Sequence, residues 1–224
     1  MRRRSLFFLL SVGALAACTP ARVGSPAAAA TTRPAVADDY WWFRLLPDLD
    51  NGFTFTWVRD LIPQQVLERL GGKELERVGW QQLVGSGDGQ VGTPYRYFIG
   101  VARLEGWSLV VEDNSDLGVT ESLVRPLSRG TTVVANHHGA DGHGRFLLLD
   151  DTAVQLDFDP AAPGTLKGSR AAELAPMLTA VGFGADSDRN TRAAFALAER
   201  FTGTEMTQDL LRDRTYLLTA VPRS

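Results

Sequence analysis

A single cysteine, Cys18, among 224 residues decides how this chain can be stabilised. With no second thiol to pair with, any folded part must rest on a buried core. The position of that cysteine narrows matters further. It ends the run Leu15-Ala16-Ala17-Cys18, behind a basic start, Met1-Arg2-Arg3-Arg4, and an apolar stretch from Leu6 to Leu15. This is the layout of a bacterial lipoprotein signal: residues 1–17 are the expected leader and Cys18 the expected lipidation site. The apolar run is shorter than the roughly 20 residues needed to span a bilayer as a helix. An ordinary secretory signal with a chance cysteine is the plainer alternative. Diacylglycerol on the sulfur would supply the two chains that stable anchoring requires.

Removing the leader takes away Arg2, Arg3 and Arg4 and moves the formal charge from -3 to -6. An acidic domain repels phosphate backbones, so nucleic acid is not an expected partner, and basic partners are favoured by opposite potential. Residues 18–38 carry the lipidated cysteine and then Thr19-Pro20, Ser25-Pro26, four consecutive alanines and Pro34, with almost no large apolar side chain. Such a segment buries too little to repay ordering and reads as a tether. One globular domain is expected over residues 39–224.

Tyr40-Trp41-Trp42-Phe43 opens that domain as a short docking segment stopped by Pro47. An exposed aromatic platform for ligand, using Trp41 and Trp42, is the alternative reading. Phe53 to Val58 alternates at period two and predicts a strand with Phe53, Phe55 and Trp57 inward. Pro63 to Leu70, closed by Gly71-Gly72, predicts a helix, and Lys73 to Val84 a second helix weakened by Gly79. Gly85 to Gln90 is glycine-rich without the Lys-Ser/Thr ending of a phosphate loop, and reads as a surface loop.

Tyr95–Leu104 and Trp107–Glu112 predict an antiparallel hairpin about Glu105-Gly106, with Trp107, Leu109 and Val111 on one face. A helix over residues 120–128 and strands at 131–135, 146–149 and 154–158 follow. The last third reads as helical: one helix capped by Ser169 and kinked or split at Pro176, another ended by Gly203, and a turn capped by Thr207 before a final strand at 216–220. Together these elements predict an α+β fold: an antiparallel or mixed twisted sheet of about five to seven strands with helices mainly on one face.

All three histidines fall in Asn136-His137-His138-Gly139-Ala140-Asp141-Gly142-His143-Gly144. Imidazoles with Asp141 are ligands for zinc or another transition metal, so His137, His138, Asp141 and His143 are the candidate metal set. The spacing matches neither the helical His-Glu-x-x-His pattern nor a paired-cysteine site, so a β-hairpin connection with no cofactor explains the run more simply. Glu112 is the candidate catalytic base, should it meet a histidine across the sheet. Asp113 to Asp116 also has the composition of an Asx turn serving the backbone. Asp186 to Asn190 imitates half a calcium loop but lacks the tight-turn glycine and the closing Glu, and helix capping by Asp188 or Asn190 accounts for it.

Several segments resemble an uncharacterised actinobacterial family, domain-of-unknown-function 6461. They are Phe55 to Arg59 leading into Pro63 to Gly71, Trp107 to Asn114, Leu127 to Gly130, Phe158-Asp159-Pro160 and Ala196 to Gly203. The resemblance spans most of residues 40–221 and implies one domain with no assigned activity and no catalytic residue to carry over. Cys18 is a departure that would place this shared scaffold outside the cell.

The sequence therefore supports a lipid-anchored binding or interaction domain on the outer face of the bacterial cytoplasmic membrane, more simply non-catalytic, meeting an envelope protein, a peptide or a toxin. A metal-assisted hydrolase using the histidine-rich loop and a structural envelope component are the alternatives.

Overall fold

The computed structural model describes residues 33–84, 94–184 and 186–223. The leader, Cys18, most of the expected tether and the glycine-rich loop lie outside them. The packed unit is Pro34–Ser224.

It is built on one antiparallel sheet of nine strands. In chain order these are β1 (Gly52–Arg59), β2 (Lys73–Val78), β3 (Arg96–Arg103), β4 (Trp107–Asp113), β5 (Thr132–Gly139), β6 (Gly144–Asp150), β7 (Ala153–Asp159), β8 (Ala162–Lys167) and β9 (Tyr216–Pro222). Their spatial order is β2-β9-β3-β4-β1-β5-β6-β7-β8. The hairpin β3–β4 and the meander β5–β8 are local in sequence. The first strand closes the gap between them, and the last inserts between β2 and β3.

Neighbouring residues on a strand face opposite ways, and β1 is buried from Gly52 through Val58. Both faces of the sheet must therefore be covered. On one face Phe53, Phe55 and Trp57 join Leu109, Val111, Val134 and Phe146 in the larger core. Over it lie the 3₁₀ segments η1 (Ala37–Leu45) and η2 (Pro47–Leu49) and the helices α2 (Trp80–Leu83), α4 (Ala171–Val181), α5 (Ser187–Thr202) and α6 (Gln208–Arg212). On the other face Val58, Ile99, Val110, Val133 and Leu147 pack beneath α1 (Pro63–Arg69), α3 (Glu121–Leu127) and the 3₁₀ turn η3 (Leu117–Val119). The count of five to seven strands is corrected to nine, and the helices, gathered mainly on the face that carries α4 and α5, are joined by a smaller covering layer on the other.

Three local differences have physical reasons. Lys73–Val78 is a strand, not the start of a helix, because β9 pairs with it along its length despite its exposed, charged side chains. Ala162–Lys167 adds an edge strand that Pro163 and Gly164 concealed. Helix α4 runs through Pro176 as one element of 11 residues.

The N-terminal boundary also moves. Ala35 and Ala37, counted with the tether, are buried at 6% and 0% exposure, and Arg200 Nε donates to the Ala35 carbonyl at 2.9 Å. Tyr40 is buried against Phe195 with a ring separation of 5.7 Å, and its hydroxyl donates to Glu199 at 2.8 Å. Packing of η1 over α5 thus begins before Asp39. Trp42 and Phe43 are partly buried on the same core. Trp41 stands exposed at 60%, whereas Trp42 packs against Tyr40 and Phe43.

Candidate functional site

The histidine-rich run spans the end of β5 and the turn into β6. Strand alternation therefore separates its members. His137 Nδ1 lies 2.8 Å from the Thr54 hydroxyl on the face beneath η3. His138 turns to the other face and stacks on Phe53, with ring centroids 5.6 Å apart at 27°. His143 is exposed at the turn, with Nδ1 3.3 Å from Asp159, and Asp141 accepts from the His143 amide at 3.0 Å. The candidate metal set does not converge. Among the described residues no group of three or more His, Cys, Asp or Glu side chains is placed to hold a metal ion.

Glu112 does share a row with a histidine. Thr54 on β1 pairs with Glu112 on β4 and with His137 on β5, so the three side chains face the same way across three strands. Thr54 stands between the other two, and its hydroxyl donates to the Ser115 carbonyl. The Glu112 carboxylate is fully buried and accepts from the backbone amides of Leu117 at 2.8 Å and Gly118 at 2.9 Å. Burial dominates and pushes its pKa up to about 7, while the two amides pull the other way. Each oxygen is committed to a backbone donor, which makes Glu112 the clasp that holds η3 on the sheet. Gly118 is required there, since a Cβ would press on the Thr56 hydroxyl and sit 2.7 Å from Thr54 Cγ2. Asn114 adopts a left-handed φ of 45°, consistent with the expected turn. Beyond His137 the row continues to Arg145 on β6, which is bound by Asp157 at 2.9 Å and Glu121 at 2.7 Å. Glu112, Thr54 and Arg145 in this polar band are each hydrogen-bonded within the protein.

The opposite face offers a concave site. A cleft of about 280 Å³ opens between η1, the start of β1, the end of β5 and the first turns of α5. Its floor is aromatic: Phe43 meets Phe53 edge-on at 5.1 Å, and His138 stacks behind them. Burial lowers the His138 pKa, against the opposing pull of Asp141 and Asp159, and so favours the neutral ring. The charged rim is formed by Arg44, Asp50, Asp188 and Arg192. Arg44 pairs with Asp188 at 3.4 Å, both largely exposed. Arg192 has only 12% of its side chain exposed, with Nη1 3.8 Å from Asp38 and Nε 3.4 Å from the Asp188 carbonyl.

Helix α5 owes its placement to Asp186, whose carboxylate accepts from the Asp188 and Arg189 amides. Asp186 is therefore the cap in place of Asp188 or Asn190. Asn190 instead turns inward and bonds both backbone groups of Gly184. The helix stops at Gly203, whose φ of 67° suits the left-handed end. Among the rim and floor residues the sequence marks His138 as a candidate ligand, Asp188 as a candidate cap and Phe43 and Phe53 as core, while Arg44 and Arg192 carry no signal beyond positive charge.

A family model described as a family of unknown function (DUF6461) matches residues 33–224. No curated protein and no solved structure matches the chain. Among the described residues no helix is long and apolar enough to cross a membrane.

Proposed function

This chain belongs to the DUF6461 family, and we propose that it is a lipid-anchored domain on the outer face of the bacterial cytoplasmic membrane that binds a ligand without transforming it. The address rests on the leader and Cys18. The observation that supports binding is the cleft between η1 and α5, where flat ring faces line the floor and charges of both signs the rim. Concave sites with an apolar floor and a few placed polar groups are where small ligands and chain ends are held.

Three features favour binding over catalysis. Glu112 is occupied by two backbone amides on the far side of the sheet. His137 and His138 point to opposite faces and cannot act on one substrate atom. Among the described residues that line the cleft, Thr191 carries the lone hydroxyl and none is Ser, Cys or Lys.

The test is photo-crosslinking in intact cells, with the reactive group placed at Leu45, which is exposed beside the cleft. A specific adduct that disappears when Arg44 and Arg192 are both changed to Gln supports the reading. Adducts that are absent, or indifferent to those changes, contradict it.

A further inference from the structure

Two guanidinium groups in this domain differ sharply in how well they are matched. Arg145, on the polar band, makes bonds of 2.7 to 2.9 Å to two carboxylates and the Val119 carbonyl. These are the lengths expected of charge-assisted hydrogen bonds. Arg192 is more deeply covered, yet its nearest carboxylate is the exposed Asp38 at 3.8 Å. Asp38 is also closer to another cation, Arg189, at 3.2 Å. The remaining contact of Arg192, through Nε to the Asp188 carbonyl, is long at 3.4 Å. Its Nη2 edge has no acceptor among the described residues.

A covered guanidinium with an unfilled edge is a receptor for a planar anion, because five fixed N–H groups match a carboxylate in two parallel bonds. Its surroundings choose the rest of the ligand. Phe43 and His138 present partly exposed rings within the same cleft, packed over the buried Phe53. Aromatic pairs in offset or edge-on geometry prefer another ring, with centroids about 4.5–7 Å apart. A volume of about 280 Å³ admits one ring and its short polar stem, not a long chain.

Resting on the binding function proposed above, we infer that the η1–α5 cleft takes a carboxylate that carries an aromatic side chain, with Arg192 gripping the carboxylate and the partly exposed rings of Phe43 and His138 holding the ring. A free aromatic amino acid and the C-terminal residue of a peptide share this chemistry. Asp50, on the rim, carries the opposite charge and is positioned to favour a ligand that also bears an ammonium group.

Isothermal titration of the full chain in detergent uses four probes: phenylalanine, N-acetylphenylalanine, phenylalaninamide and acetate. Saturable binding of phenylalanine, with acetate and the amide weaker by about tenfold or more, is the expected result. Equal binding of N-acetylphenylalanine assigns the site to a peptide end, and its failure assigns it to a free amino acid. Arg192→Gln and Arg192→Lys are both expected to weaken phenylalanine about tenfold, since lysine keeps the charge and loses the fork. Unchanged thermal unfolding of either variant guards against a folding defect. Binding of the amide as tight as the acid, or no saturable binding of any probe, overturns the inference. Should that occur while the intact-cell adduct still depends on Arg44 and Arg192, the ligand class alone is wrong and the binding function stands.

Discussion

Replacing Glu112 by Gln isolates the energetic consequence of burying a carboxylate beneath η3. Its pKa is raised from 4.5 to about 7 by burial. The folded protein therefore holds the proton more tightly than the unfolded chain. Its contribution to stability is whole below pH 4.5 and is lost as pH climbs through 7. At about 1.36 kcal/mol per unit, the full change is about 3 kcal/mol, of which about 2–3 kcal/mol falls between pH 5 and 8.

Gln cannot ionise, so the variant lacks that slope. It carries a constant cost of roughly 1–3 kcal/mol, because its amide nitrogen faces one of the two backbone N–H donors. His137 and His138, whose pKa values are lowered chiefly by burial, act in the opposite sense. Their contribution is present above pH 6.5 and is lost as pH falls, and it is common to both proteins. Urea unfolding of wild type and Glu112→Gln at pH 5 and pH 8 measures the difference. The penalty of the substitution should shrink by about 2–3 kcal/mol on going from pH 5 to pH 8. In thermal unfolding this amounts to roughly 4–12 °C for a domain of this size. Parallel pH curves for the two proteins would refute the reasoning, and with it the reading of Glu112 as a clasp held at the cost of desolvation.

Three further substitutions test other joints of the fold. Gly118→Ala should destabilise by roughly 1–3 kcal/mol through overpacking against β1, and Thr56→Ala, which removes the hydroxyl that the new methyl meets, should restore part of that loss. A double-mutant cycle in urea that is strictly additive would contradict the close approach. Asp186→Ala should cost about 1 kcal/mol and speed hydrogen exchange in the first turn of α5; exchange unchanged at Asp188 and Arg189 would deny the cap.

Local pattern carried the strands whose side chains alternate or are apolar throughout. Phe53 to Val58, the 95–112 hairpin and the 146–158 segments all appear where period and turn residues place them. It failed where the backbone ladder, not the side chains, makes the strand. Lys73 to Val78 is charged and exposed, and only the presence of β9 beside it makes it extended. The covering layer on the second face was hidden by amphipathic alternation: Thr54, Thr56 and Ser108 look like solvent-facing positions, yet all are fully buried beneath η3 and α1.

The candidate site divides the same way. Glu112 and a histidine do meet one row, as sheet adjacency allowed, but nothing local says that β1 enters between β4 and β5. The cleft was illegible for the same reason. Phe43, Phe53, His138 and Arg192 are brought together by packing of η1 and α5 over the sheet, and their separations in sequence bear no pattern.

The account as a whole turns on whether the cleft is presented outside the membrane, and Cys18 decides that. Metabolic labelling with an alkyne fatty acid, read on the full chain and on Cys18→Ser in the same cells, is the direct measurement. Label on the wild type and processing before Cys18 are the expected result. Neither is expected in the variant. Equal membrane retention of both proteins with no label on either would contradict it.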